Sequence, residues 1–389
     1  MGTYSDLKIG KFTVEESGNF STTRHQSIFL PSHSKTIIRE GRDDRKPVEV
    51  FQAPLRDLVT RLELMGSTLP AIERRFSDPY VTYDQPHDVS FSDALELVRN
   101  ADLETIPEFD MNSDSPGILP PEYHDRLRGP NYLGGFSLGP GWDLTSLLER
   151  LNAEDMLRVL AERPENLDLM VVWDFMDVVE NGYFEREDFT VGSAGQSFLL
   201  VTEGTSDTDI IRHAFDILRP EIKDFFRYVD MERNYPFGGH GNLLNFMKGL
   251  SSIQKTGGVV AIFDNDAAGV GSLNALARVP DVNAVKLPDL EKFKSFPTIG
   301  PNGEHPADIN GRAAAIECYL RLPENCRVRW TNFDEKAGEY QGAIDQRGSE
   351  KNRQRDEFLR TLATDDYPFE NIRKVLEMIV DACTERGKP

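Results

Sequence analysis

The pattern that most constrains this chain begins at Phe198, where short apolar strands are each followed by a tight turn and an amphipathic helix. FLLVTEG reads as a buried strand, and TSDTDIIRHAFDIL as a helix opened by Thr205 or Ser206 and stopped near Pro220. FFRYVD is a second strand, followed by the glycine-rich turn FGGHGN and the helix LLNFMKGLSSI. GGVVAIFDND gives a third strand, with a helix from Ala267 to about Arg278, and NAVKLP gives a fourth. Strands alternating with helices of this length imply a largely parallel sheet covered on both faces. In such sheets functional groups gather at the carboxyl ends of the strands.

The segment TVGSAGQS, Thr190 to Ser197, is small and polar and separates this pattern from what precedes it. The main domain boundary is placed there, since 389 residues are too many for one average domain. Upstream, LKIGKFTV and SIFLP read as short strands. FQAPLRDLVTRLELMG and SFSDALELVRNA have helical spacing, the second with a serine cap. Glu104 to Gly141, rich in Pro, Gly, Asp and Asn, reads as a long irregular connection. DLTSLLERL and AEDMLRVLAE return to helical spacing, and DLMVVWDFMDVVENG, ending in Gly182, reads as a packed helix. The expected fold class is an α/β domain over 198–325 preceded by an α+β domain over 1–190. A mostly helical extension over 326–389 is expected to pack on the α/β domain.

Two carboxylate clusters sit at the expected strand ends. Glu203-Gly204-Thr205-Ser206-Asp207 follows FLLV, and Asp264-Asn265-Asp266 follows VVAIF. Gly204 lets the backbone turn tightly, and Asp207 falls in a first helical turn, where the helix dipole favours an acid. Two neighbouring strands would then present four carboxylates at one edge. Like charges at that spacing repel strongly unless a hard cation such as Mg²⁺ or Mn²⁺ neutralises them. Either cluster alone is weak: an acid in a first helical turn is commonly a cap, and DxD recurs in loops and in glycosyltransferases. The combination, strand-EGxSD-helix and about sixty residues later strand-DxD-helix, is far more specific.

EGTSD with FDND resembles the Toprim domain, shared by topoisomerases, bacterial primases, recombination-repair proteins and overcoming-lysogenization-defect (OLD) nucleases. The resemblance implies a Rossmann-like fold over about a third of the chain. It implies that Glu203 serves as general acid/base or metal ligand, that Asp264 and Asp266 bind metal, and that Asp207 is an added ligand of the OLD-like branch. MGTYSDLKIGKFTVEESGN, VVWDFMDVVENGYF and WTNFDEKAGEYQGA further resemble bacterial HEPN/Toprim-associated proteins, in which an N-terminal α+β domain is fused to a HEPN or Toprim effector. That context implies a conflict-system nuclease used against phage. HEPN ribonucleases place an Arg, a few polar residues and a His on a helix, and His25, His33, His87 and His124 show no clear version of this. The N-terminal domain is therefore read as a sensing, substrate-guiding or assembly surface.

Further candidates lie in the same half. GEHPADINGRAAAIECYL places Asp308 and Glu317 on either side of a helix start, where OLD-like nucleases hold a second metal with additional acids; a cap and a solvated helix residue are the plain alternatives. His240, in the turn PFGGHGN, is a candidate for touching phosphate or assisting proton transfer, against a turn histidine bonded to backbone. Gly238, Gly239 and Gly241 would let amides approach a phosphate, but no Walker lysine follows. Basic residues cluster at Lys35, Arg39, Arg42, Arg45 and Lys46, and at Arg347, Lys351, Arg353 and Arg355. Arg347 or Lys351 is the candidate for stabilising transition-state charge, against plain solvated surface for most of the set.

The net charge of −21, from 65 acidic and 44 basic residues, argues against a protein that coats nucleic acid by charge alone. It leaves room for an enzyme acting on nucleic acid, because bound metals reverse the sign of an acidic pocket. Three cysteines are too few and scattered for a disulfide framework or zinc site. No run of about 18 apolar residues could cross a bilayer, and MGTYSDLKIGKF lacks a signal-peptide layout. A cytoplasmic protein without a membrane partner is expected. The leading reading is a nuclease using one or two Mg²⁺ or Mn²⁺ ions on a DNA or RNA substrate. Its alternative is a Toprim-fold regulatory or sensing subunit active only with a partner, and both a homo-oligomer and a defence-system partner protein stay open. A topoisomerase would need a nucleophilic tyrosine module and a larger chain, and a primase a zinc-binding segment.

Overall fold

A computed structural model of the chain describes residues 2–23, 25–40, 45–78, 88–107, 117–128, 139–192, 197–229, 240–254, 256–301, 303–334, 339–345 and 350–384. They fall into two compact units, one within residues 1–195 and one within residues 196–386. Among the described residues no helix is long and apolar enough to cross a membrane.

In the first unit, β1 (Tyr4–Ile9), β2 (Phe12–Gly18), β3 (Ser34–Glu40), β4 (Arg45–Pro54) and β5 (Met170–Asp174) form an antiparallel sheet in the order β2-β1-β5-β4-β3. The helices are α1 (Leu55–Leu64), α2 (Leu69–Phe76), α3 (Phe91–Asn100), α4 (His124–Arg128), α5 (Trp142–Leu148), α6 (Ala153–Leu160) and α7 (Met176–Glu180). The Ser90 side chain caps α3 by accepting the Asp93 amide at 3.2 Å.

Two sequence expectations are corrected here. DLMVVWDFMDVVENG is a central strand followed by a short helix, because Val171 and Trp173 alternate with more exposed neighbours and Trp173 pairs with Leu7 on one side and Phe51 on the other. SIFLP is not a strand. Ile28 and Phe29 enter the core, while the buried Arg61 guanidinium donates to the Ile28 and Ser27 carbonyls at 3.1 and 2.8 Å, taking the place of a ladder.

The second unit is built on β6 (Phe198–Thr202), β7 (Phe226–Tyr228), β8 (Val259–Phe263) and the short β9 (Asn265–Asp266), with β10 (Asn283–Lys286) completing a parallel sheet in the order β10-β8-β6-β7. Its crossover helices are α8 (Thr205–Leu218), α9 (His240–Ser252) and α10 (Ala267–Leu276). Val201, Val259, Ala261 and Phe263 pack with Leu243, Met247 and Leu276 of α9 and α10. The alternate positions Leu200, Val260 and Ile262, also buried, point to the opposite face. Hence the strands are apolar throughout, as burial on both faces of a parallel sheet requires.

Beyond it, β11 (Phe296–Gly300), β12 (Gly303–Ala307), β14 (Val328–Asp334) and β15 (Glu339–Ile344) make a mixed sheet, and β13 (Ala313–Ala314) pairs antiparallel with β9. Helices α11 (Glu350–Phe358) and α12 (Glu370–Thr384) close the unit. The tail expected to be mostly helical thus opens on two strands. No α-helix starts between Asp308 and Glu317: the alanine run pairs with β9, and Glu317 sits in a 3₁₀ turn, Ile316–Tyr319.

A candidate metal centre at the carboxyl edge of the parallel sheet

Glu203 leaves the end of β6, and its Oε1 accepts the Asp264 amide at 3.0 Å. The main-chain N–H of His240, at the start of α9, donates to the same carboxylate. One turn on, Asp207 Oδ2 accepts the Gly204 amide at 3.0 Å and closes the first turn of α8. Asp266 caps α10 by accepting the Gly269 amide at 2.7 Å. Gly269 is required there, since a Cβ would stand 2.2 Å from the Asp264 carbonyl oxygen. Asp264 Oδ1 accepts the Ile316 amide at 3.2 Å, and the pairing of Ala313 with Asp266 brings the following turn, with its buried Glu317, against the same strand end.

The result is four carboxylates acting on a fifth, Asp264. Burial raises the Asp264 pKa well above the ordinary range, and Asp207, Glu203, Asp266 and Glu317 each push it further. Burial also raises Glu203, to about 7, with Asp266 adding to the effect and the Asp264 and His240 amides opposing it. Asp207, Glu203, Asp266 and Glu317 all bring negative charge to Asp264. An all-oxygen donor set of this charge suits a hard divalent cation such as Mg²⁺ or Mn²⁺. Among the described residues no three His, Cys, Asp or Glu side chains already stand close enough together to hold an ion. The fit is therefore one of donor chemistry and charge rather than of a preformed shell.

With both units on view, the comparison with known proteins is decisive for the first. A family model, HEPN/Toprim N-terminal domain 1, matches residues 1–197. The chain belongs to this HEPN/Toprim family. The matched span is the antiparallel-sheet unit and ends one residue before β6. No curated protein and no solved structure matches the chain.

The HEPN/Toprim chain holds its second strand end with a residue the sequence did not single out. Asn265, between the two aspartates, is fully buried. Its Nδ2 donates to Asp289 Oδ1 at 2.9 Å, and its Oδ1 accepts from Lys286 Nζ at 3.0 Å and the Gly311 amide at 2.7 Å. Lys286 also donates to Asp289 at 2.6 Å, and Tyr319 binds the Pro288 carbonyl at 2.6 Å. These bonds fix the chain turn that carries Asp264 and Asp266. The one available signal was an amide, rather than an apolar residue, between two acids.

The remaining candidates are dispersed. Asp308 is exposed, and its Oδ1 accepts both the backbone and side-chain amides of Asn310 at 2.9 Å, an Asx turn outside the carboxylate group. The His240 side chain is exposed while its backbone serves Glu203. Arg347 lies outside the described residues, as do Gly238, Gly239, Arg42 and His87; Lys351 lies in α11, with its side chain outside them. Of the N-terminal basic cluster, Arg39 binds Asp174 and Lys46 binds Glu180.

Proposed function

We propose that this HEPN/Toprim protein is a divalent-metal-dependent nuclease that hydrolyses phosphodiester bonds of DNA or RNA, acting in the cytoplasm in defence against phage. Its second unit is read as a Toprim-type catalytic domain, and the first as a sensing or assembly surface. The observation that carries the reading is the meeting of Glu203, Asp207, Asp264, Asp266 and Glu317 at one sheet edge, with Asp264 surrounded by like charge.

Those five residues would hold one or two Mg²⁺ or Mn²⁺ ions. Bound there, the cation supplies charge neutralisation and polarises the phosphoryl group. Glu203 is fixed by two main-chain N–H groups. Burial pushes its pKa up to about 7, and a cation beside it would lower that value and keep the carboxylate ionised as a ligand or base. Asn265 and Gly269 hold the Asp264–Asp266 turn in register with β6. With a net charge of −21, substrate capture depends on the loaded site rather than on a broadly basic surface.

The test is incubation of mixed DNA and RNA substrates with Mg²⁺ or Mn²⁺, beside the double variant Glu203→Gln, Asp264→Asn. Cleavage by the wild type alone supports the reading and names the substrate. If neither protein cuts any substrate, the isolated-enzyme reading fails and a partner-dependent regulatory subunit takes its place.

A further inference from the structure

Glu317 comes to the carboxylate group by a different route from the other four acids. Glu203, Asp207, Asp264 and Asp266 lie where β6 and β8 end and α8 and α10 begin. Glu317 stands after β13, is 2% exposed, and brings negative charge against Asp264. Buried Ile316 and Tyr319 keep this segment in the core, but apolar contact has no direction and does not fix register. The pairing with β9 is two residues long, Ala313 facing Asp266 and Ala314 facing Asn265. Ala313, Ala314 and Ala315 are identical, so their side chains do not distinguish one register from the next. Hydrogen bonds must therefore set it. One such bond, from the Ile316 amide to Asp264 Oδ1, ends on a candidate ligand itself. The Asn265 side chain holds from outside the ligand set. Its Oδ1 accepts the Gly311 amide at 2.7 Å, where a left-handed turn (φ +69°) leads into β13. The side chain is itself anchored, by Lys286 on the same oxygen and by Asp289 on Nδ2. Asn310 grips the turn from its other side, with two bonds to the Leu290 main chain at 3.0 and 3.2 Å.

We propose that Asn265 is a positioning residue that acts through Glu317: its side chain sets the register of the alanine run against β9, and so fixes where the Glu317 carboxylate meets the cation. This role rests on the reading of the edge as a cation site and is additional to the hold of Asn265 on its own turn. It accounts for an amide between the two aspartates. An apolar residue there would fill the same space and leave the Gly311 amide without its acceptor.

A double-mutant cycle on Mn²⁺ affinity, measured by calorimetry on the full chain, tests it. Glu317→Gln weakens Mn²⁺ binding about tenfold, and Asn265→Ala weakens it to a similar degree. Combined, the two cost less than about threefold more than either alone, because the second change finds its effect already lost. Asn265→Ala with Asp207→Asn, an acid carried by α8, instead loses the product of the single effects. A general loosening of the fold would multiply in both pairs, so the contrast between them reads positioning. Asn310→Ala opens the same turn from a less buried side chain and replaces Asn265→Ala in the cycle if that variant does not fold. Wild-type Mn²⁺ affinity in Asn265→Ala overturns the proposal, as does full multiplication of its effect with that of Glu317→Gln. In either case the cation reading stands. If the wild-type chain binds no Mn²⁺, the cation reading falls and the role of Asn265 falls with it.

Discussion

Asp155 in the first unit and Asp264 in the second are both acids withdrawn from water, and their neighbours differ in sign. Asp155 is fully buried and gripped by Arg75, which donates from Nε and Nη2 at 2.6 and 2.5 Å. Asp143, also buried, accepts the Leu119 and Leu144 amides at 2.6 and 3.0 Å, with His124 Nε2 at 3.4 Å. Around Asp264 the acting charges are Asp207, Glu203, Asp266 and Glu317. The first arrangement is complete within the chain and holds helices to one another. The second stores repulsion that a cation from solution would relieve. The sign of the neighbours, more than burial itself, separates an acid that serves the fold from one that serves a site.

The comparison is sharpened most by loss of chemistry. Glu203→Gln or Asp264→Asn alone is expected to reduce metal-dependent cleavage by about 10²- to 10⁴-fold, read from initial rates. Next in size, Asp155→Ala is expected to cost roughly 2 kcal/mol of stability in urea melts, the scale of losing charged hydrogen bonds to a half-exposed arginine. A near-neutral result there would break the contrast between the two units.

Acid should also act on the first unit through His25. Burial lowers its pKa to about 4, partly opposed by Glu15, and it packs edge-on against Trp173. The unfolded imidazole, with an ordinary value of 6.5, binds its proton first as pH falls. Its contribution is therefore present above 6.5 and lost as pH drops toward about 4, a change on the order of 2–3 kcal/mol. His25→Leu should flatten that part of the stability–pH curve; an unchanged slope would mean that other groups set it. The smallest effect has the opposite sign. In EDTA, Asp264→Asn is expected to raise stability by about 1 kcal/mol, because it removes like charge from the cluster. A loss of stability would place Asp264 with Asp155 as a structural acid.

The second unit's frame was legible because its signals are local. TSDTDIIRHAFDIL carries its helical period and first-turn acid within one segment, and α8 spans those residues, Thr205–Leu218. The strands ending at Glu203 and Asp264 announce themselves as short apolar runs before glycine or aspartate. What was lost depends on distant partners. VVW became a central strand only because Leu7 and Phe51 flank Trp173. AAAIECY, rich in alanine, gave up helix because it pairs with Asn265 and Asp266, which is also what carries Glu317 to Asp264. Asn265 was illegible for the same reason: its partners Lys286, Asp289 and Gly311 are scattered along the chain.

The central claim is that the carboxyl edge of the parallel sheet takes a divalent cation. Calorimetric titration of the full chain with Mn²⁺, beside Asp264→Asn, measures this without any substrate. The expected result is saturable binding of one or two ions by the wild type, weakened at least about tenfold by the substitution. No saturable binding to the wild type, or equal affinity in the variant, would contradict it.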